Sequence, residues 1–520
     1  MRTRLPGGAG GHGEAPGESA GGGEGNGAFA PGMAPGSALF ADFYSLTMAQ
    51  GYWKRLAGRR AVFEFFFRRQ PFGGGYTIFA GLGTLLDSLG AFSFSAGDLG
   101  YLEGLGLFEA GFLDWLGAFR FSGSLWAADE GAAVFPHEPV ARVEGCLAEC
   151  QLIEGMLLNA LNFQSLVATK ARRVWLASGK GSVAEFGLRR AQGFDGAMSA
   201  SRAAYIGGAS GTSNTLAGKA FGIPVVGTMA HSWVMSFPSE AEAFDAYAAL
   251  YPDSCVFLAD TYNTLKSGIP AAIEAGKKLM RRGKGFGVRL DSGDIQYLSA
   301  EARRMLDAAG LQGATIAVSG DLDEAIIETL AGSGAPVDVW GVGTRMVTGA
   351  GESAFSGVYK MAACEGADGR MAQVMKFSDN PEKTTSPGVK QVWRIRDARG
   401  MALADVMALD EGGWPGGETE AFRAGSRCKF RHPAADYRHF WHVLESEPEP
   451  LLKKRVDRGA PCGPRPSLAE TRAFSLAGFE ALDPTYKRQL NPHVYKVSIS
   501  ERLCALKLGL IRRHFGSLDA

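Results

Sequence analysis

The sequence predicts an α/β fold built around a parallel sheet, with α+β segments before and after it. Two observations carry this expectation. Between residues 171 and 384 short apolar runs recur, each followed by Gly or polar residues and then by a helical pattern. Strands that alternate with helices in this way form βαβ units. The runs lie at 183–186, 223–226, 255–259, 286–290, 315–318 and 337–340. Six such units favour a barrel over an open sheet without excluding the latter.

Taken in order, residues 1–37 are dominated by Gly, Ala, Pro and Glu and hold little that a core would bury. They are expected to form a disordered tail. Two arginines near the start are followed by no apolar run, so no secretory signal is expected, and Glu14, Glu18 and Glu24 argue against a transit peptide. Residues 38–170 are expected to form an N-terminal α+β domain. A helix is predicted over 41–53, with Asp42 near its start, and a strand over 61–67. A turn follows at Gly73, Gly74 and Gly75, then short helices over 76–120 and short strands over 122–145. One long helix is predicted over 147–170, because Ile153, Met156, Leu157, Ala160 and Leu161 recur at helical spacing.

Within 171–384, the catalytic barrel segment, helices are predicted over 240–250, 270–281, 298–309 and 322–331. Capping boxes are expected at Ser239 with Glu242 and at Asp321 with Glu324. Beyond 385 a hairpin is predicted from 392–396 and 402–407, then irregular chain over 427–465 and helices over 466–478 and 495–511. This last segment, 385–520, is expected to pack back onto the N-terminal domain.

Lys plus Arg and Asp plus Glu each number 54, so the formal net charge is zero. No bulk field exists to attract nucleic acid or an anionic membrane. The 7 cysteines form no CxxC pair and no zinc-like cluster with histidine, and are expected to be reduced thiols of a cytoplasmic protein. No apolar stretch is long enough to span a bilayer.

In a parallel barrel the site lies at the carboxyl ends of the strands. Arg189 and Arg190 follow the first run. Gly227, Thr228, His231 and Ser232 follow the second, and Asp260 and Thr261 the third. The fourth contains Arg289 and leads into Asp291, Ser292, Gly293 and Asp294. Ser319, Gly320 and Asp321 follow the fifth; Gly341, Gly343, Thr344 and Arg345 follow the sixth. Arginine forks suit carboxylate and phosphate. Gly-containing turns present backbone N–H groups to a phosphate, and carboxylates beside phosphates suit Mg²⁺. Singly, each feature is more often a turn, a solvated pair or an internal ion pair. Together they imply an anionic, phosphate-bearing small substrate.

At these residues the sequence resembles the nicotinate phosphoribosyltransferase family. The segments that carry the resemblance are DFYSLTMAQGYW (42–53), FFFRRQPFGGGYTIFAGL (65–82), NFQSLVATKARR (162–173) and EFGLRRAQGFDG (185–196). GTMAHSW (227–233), GVRLDSGD (287–294), GVGTR (341–345) and EKTTSPGVK (382–390) continue it in family order. The resemblance implies an irregular α/β barrel like that of type II phosphoribosyltransferases. It also implies a second α+β domain built from both chain ends and a homodimer whose active sites are shared.

The implied reaction joins nicotinate to phosphoribosyl pyrophosphate, giving nicotinate mononucleotide and pyrophosphate. It is coupled to ATP hydrolysis, with Mg²⁺ as cofactor, in NAD salvage by the Preiss-Handler route. His231 matches the histidine that ATP phosphorylates. Arg189 and Arg289 match residues near the nicotinate carboxylate, and Tyr44 an aromatic that packs on the pyridine ring. Thr228, with Ser232 in the same motif, matches a substrate contact. Ser319, Gly320, Gly341, Gly343 and Thr344 match the 5′-phosphate cradle. Asp291 joins His231 and Arg289 in the catalytic set, and with Asp294 is expected to meet Mg²⁺ or ribose. Arg345 departs from the small residue expected there; it either adds a phosphate contact or faces solvent. The zinc-knuckle cysteines of some relatives are missing, so no structural metal is expected. The nearest alternatives are enzymes of the same class that take nicotinamide or quinolinate, then a different sugar-phosphate barrel enzyme, then a relative that only binds.

Overall fold

The alternating pattern of the middle segment becomes six parallel strands. They are β1 (Ser182–Glu185), β2 (Gly211–Thr212), β3 (Cys255–Leu258), β4 (Phe286–Leu290), β5 (Thr315–Val318) and β6 (Val339–Val342). The structure is a computed structural model that describes residues 37–378, 383–410, 422–433 and 438–516. The strands lie side by side in the order β2-β1-β6-β5-β4-β3. That is the circular order of a closed cylinder, cut between β2 and β3, and it is the irregular α/β barrel expected. Val183, Phe257, Val288, Leu290, Ile316, Val318 and Val342 are all buried. Parallel strands are covered on both faces, which is why they read as short continuous apolar runs.

Four helices sit between the strands as expected: Glu240–Leu250, Ile269–Arg281, Ile295–Ala308 and Glu324–Gly332. The Ser239 hydroxyl caps the first by accepting the Glu242 amide at 3.2 Å. The cap expected at Asp321 lies instead at Asp323, which accepts the Ala325 and Ile326 amides. Asp321 adopts φ 47°, a left-handed turn that cannot serve as an extended N-cap.

Two strand expectations change. Residues 223–226 make only a single bridge, from Val225 to Thr212. Pro224 has no N–H, so the run cannot support a ladder on both sides. The strand itself is the polar pair Gly211–Thr212, which gives no apolar signal. The run at 337–340 is shifted to Val339–Val342. Asp338 precedes it, and its carboxylate takes the Ile316 amide at 2.7 Å.

The remaining sheets join distant parts of the chain. Arg60–Phe67 pairs antiparallel with both Ala141–Cys146 and Gly357–Glu365. Ser124–Ala127 pairs with Lys453–Asp457 near the far end of the chain. The predicted hairpin is Lys390–Arg396 with Ala402–Leu409. Residues 427–465, expected to be irregular, contain the paired strands Arg427–Arg431 and His439–Val443. Their many charges hid a strand that buries only Phe430 fully. The last helices are Leu468–Glu480 and Glu501–Gly516, the latter preceded by a strand, Val497–Ile499, where helix was expected. The long helix over 147–170 is two: Leu147–Leu152 and then Glu154–Ala177. The tail expected over 1–37 lies outside the described residues except for Ser37, which bridges to Ser93.

Buried polar groups hold these layers together. Arg172, on the Glu154–Ala177 helix, donates to the Gly207 carbonyl at 2.7 Å and the Ser475 hydroxyl at 2.8 Å. Burial pulls its guanidinium down to about 10. A second cluster joins the loop before Ala141 to the C-terminal sheet. Arg394 grips Asp405 with two bonds of 2.9 and 2.6 Å. The Tyr495 hydroxyl donates to Asp405 at 3.0 Å. Glu138 accepts the Phe135 amide at 2.9 Å with one oxygen. Its other oxygen finds no donor and faces Asp405. A bond between these two carboxyls forms only when one carries a proton. Burial, with the Asp405 charge, pushes Glu138 well above the ordinary range.

The folded state therefore holds a proton that the unfolded chain releases near 4.5. The stabilisation is full below that pH and declines as pH rises toward the raised folded value. The slope is at most about 1.4 kcal/mol per pH unit for one proton. Glu138→Gln keeps the hydrogen bond without the charge. Its Tm should exceed the parent's by a margin that grows as pH rises above 5; parallel Tm–pH curves would show that Glu138 stays ionised.

Candidate active site

The strand ends of the barrel converge on Arg289. This residue lies on β4 with its side chain 16% exposed, and its guanidinium spans three neighbours. Nε donates to the Ser319 hydroxyl at 2.8 Å, Nη1 to the Thr228 hydroxyl at 3.0 Å, and Nη2 to Asp291 Oδ1 at 2.7 Å. Ser319 in turn donates to Asp291 Oδ1. Burial would raise the Asp291 carboxyl, but the Ser319 hydroxyl, the Arg289 guanidinium and His231 outweigh it and hold it below the usual range. Asp291 is thus an anion at neutral pH.

His231 opens the short helix His231–Met235. Its Nδ1 lies 3.2 Å from the Thr261 hydroxyl, and its Nε2 lies 3.8 Å from Asp291 Oδ2. The next carboxylate is Asp260, just past β3. Its Oδ2 accepts the Asp291 amide at 3.1 Å and the Ser292 hydroxyl at 2.5 Å. Its Oδ1 is buried and has no partner among the described residues.

Backbone packs closely around this group. Gly320 has φ 98°, and a Cβ there would sit 2.2 Å from the Asp291 carbonyl oxygen. A Cβ on Gly341 would lie 2.6 Å from the Phe186 ring, and one on Gly343 2.8 Å from the Phe186 carbonyl oxygen. These glycines therefore permit close approach. They press β6 and the loop after β5 against the end of β1 and the loop after β4. The Phe186 ring lies under Arg289, 5.6 Å from the guanidinium carbon.

Of the residues expected at the site, Thr228, His231, Arg289, Asp291, Ser319, Gly320, Gly341 and Gly343 meet here. Thr344 follows at once, opening the helix Thr344–Val347. Arg189 stands beyond Phe186 on the turn Leu188–Arg190, exposed and without an ion-pair partner among the described residues. Ser232 is exposed on the His231–Met235 helix. Asp294 is not part of the group. It is the exposed cap of the Ile295–Ala308 helix, accepting the Tyr297 amide at 3.1 Å. Arg345 is exposed and pairs with Asp323 at 3.0 Å.

Tyr44 also lies apart. It sits on the helix Phe43–Arg55 in the first domain and is 47% exposed. Partial burial, then the charge and hydrogen bond of Glu154, push its hydroxyl up to about 12. Phe186, Thr261 and the orphan oxygen of Asp260 were given no role from sequence. All three stand where the strand-end rule points, but only packing shows which of them face the group.

Among the described residues no group of three or more His, Cys, Asp or Glu is placed to hold a metal ion. No helix among them is long and apolar enough to cross a membrane.

Three family models match the chain in succession. They are the N-terminal domain of nicotinate phosphoribosyltransferase over residues 39–162, the nicotinate phosphoribosyltransferase family over 182–405, and its C-terminal domain over 389–507. A protein of Bacillus subtilis named nicotinate phosphoribosyltransferase is 41% identical, covering 89% of this chain and 93% of its own length. One of Homo sapiens with the same name is 35% identical, covering 91% and 96%. The crystal structure of human nicotinic acid phosphoribosyltransferase superposes with a TM-score of 0.77 at 32% identity, covering 90% of this chain and 99% of that one. With matches over most of its length and a shared architecture, the chain belongs to the nicotinate phosphoribosyltransferase family.

Proposed function

We propose that this protein transfers the phosphoribosyl group of phosphoribosyl pyrophosphate to nicotinate, releasing pyrophosphate, with ATP hydrolysis coupled through His231. The observation that carries this reading is the Arg289 group. One cation, two carboxylates, a histidine and glycine-walled backbone turns share one rim of the barrel.

The chemistry asks little of a base. The pyridine nitrogen already holds its lone pair, so no activated Ser or Cys is needed. The barrier is positive charge growing at ribose C1 as pyrophosphate leaves, and fixed dipoles and charges lower it. Arg189, exposed and unpaired beside the Phe186 ring, suits the nicotinate carboxylate. Ser319 and Gly320, with Gly341, Gly343 and Thr344, suit the 5′-phosphate. When His231 donates its Nδ1 proton to Thr261, Nε2 keeps its lone pair on the Asp291 side. That is the atom to accept phosphate from ATP, and a phosphohistidine there would bias the site toward its substrate-bound form.

Mg²⁺ fits Asp260 and Asp291, whose oxygens are hard donors and one of which lacks a partner. When bound, the ion would offset the charge of the departing pyrophosphate. Asp294, occupied as a helix cap, is replaced by Asp260 in this role. Tyr44 lies on an exposed face with Phe40, Phe43 and Met48. It suits a homodimer in which this face completes the partner's site.

The decisive assay mixes the protein with Mg²⁺, phosphoribosyl pyrophosphate and each pyridine base, with and without ATP. Nicotinate mononucleotide and pyrophosphate should form in equal amounts, faster with ATP. Faster turnover of nicotinamide than of nicotinate would overturn the choice of base. His231→Ala should keep slow transfer but lose its stimulation by ATP; a variant still stimulated would remove His231 from that role. Arg289→Lys keeps the charge but loses the fork that holds Thr228, Ser319 and Asp291 together. Its kcat/KM should fall by about a hundredfold or more, and wild-type kinetics would show that the group does not organise the site.

A further inference from the structure

Glu185 ends β1 with its carboxylate inside the protein, at 1% exposure. One oxygen accepts the Gly187 amide. The other accepts the Ser201 hydroxyl at 2.9 Å and the Thr212 hydroxyl at 2.5 Å. Ser201 lies on the helix Gly193–Gly207, and Thr212 ends β2. No cation is among these partners. A buried carboxylate held by neutral donors alone is a costly choice where an amide or an apolar side chain would also fill the space. Its placement points to something that the carboxylate must hold still.

What it holds is the turn after β1. Gly187 opens the turn Leu188–Arg190 and is wedged on two sides. A Cβ there would lie 2.2 Å from a Val347 methyl and 2.9 Å from the Glu185 carboxylate. Val347 belongs to the helix that starts directly after Gly343. The turn is therefore clamped between the carboxylate and the phosphate-side helix. Phe186, caught between Glu185 and Gly187, keeps its ring under Arg289, and its amide donates to the Val342 carbonyl at 2.9 Å. Arg189 follows two residues beyond the clamp.

We infer that Glu185 is a positioning residue for the pyridine base, aiming Phe186 and Arg189 by locking the turn that carries them. It acts through those residues and does not touch substrate. The inference rests on the proposed role of Arg189 at the nicotinate carboxylate.

Glu185→Gln keeps the size but replaces one accepting oxygen by an NH₂, which meets a donor if it faces the Gly187 amide and forces the Ser201 and Thr212 hydroxyls to reverse their bonds if it faces them. A thermal melt should show it folded. Its KM for nicotinate should rise about tenfold, the loss of one buried hydrogen bond, with the KM for phosphoribosyl pyrophosphate unchanged. Combined with Arg189→Ala, it should add almost nothing to the effect of Arg189→Ala alone, because both changes remove the same contact. Ser201→Ala, a milder change that leaves the carboxylate in place, should raise the same constant by less.

Equal increases in both KM values, additive effects in the double variant, or wild-type kinetics for Glu185→Gln would each overturn the inference. Failure of the Arg189 reading looks different. Arg189→Ala alone would then leave the nicotinate KM unchanged, while a base-selective effect of Glu185→Gln would still stand, acting through Phe186.

Discussion

One guanidinium sets the geometry of the barrel mouth. Arg289 leaves β4 and reaches the loop before the His231–Met235 helix, the end of β5 and its own downstream carboxylate at once. A planar group with donors in fixed directions can satisfy three acceptors only if all three are held at matching heights. The close glycine contacts at Gly320, Gly341 and Gly343 bring the backbones near enough for that match. Fork and glycines are thus two halves of one constraint. Without the fork the loops have no common anchor, and without the glycines they cannot approach it.

The same constraint explains the charge state of the rim. Asp291 takes hydrogen bonds from both Ser319 and Arg289 while facing His231. Its negative charge is stabilised before any ligand arrives. The site is preorganised as a mixed surface: an anion beside the histidine, and an exposed cation on the turn past Phe186. Such a pattern suits a substrate pair in which one partner is a carboxylate and the other a phosphate ester.

Much of this was legible in the chain, for a physical reason. Parallel strands covered on both faces are mostly apolar, so β3, β4 and β5 announced themselves as compact runs. The residues after each run then located the mouth. Where sequence reading failed, the missing information was tertiary. Gly211–Thr212 is a strand because Glu185 and Pro224 flank it, which no local property encodes. Asp294 resembles a ligand in its motif but is committed to an amide of the next helix. Asp260 carries an unsatisfied oxygen that only packing reveals. Tyr44 fits the family pattern yet lies apart from the Arg289 group, because a motif specifies residue types and leaves open where the fold carries them. Charged strands such as Arg427–Arg431 escaped notice since they bury one residue fully and most of the others only in part.

The cut in the barrel between β2 and β3 has an outcome of its own. An unclosed sheet offers edges on which a foreign strand can grow. Here one edge is only two residues long, and the Thr212 amide and carbonyl are already engaged by Pro224 and Val226. The proline beside it donates nothing. On that side the seam therefore gives an incoming chain almost no template for sheet growth.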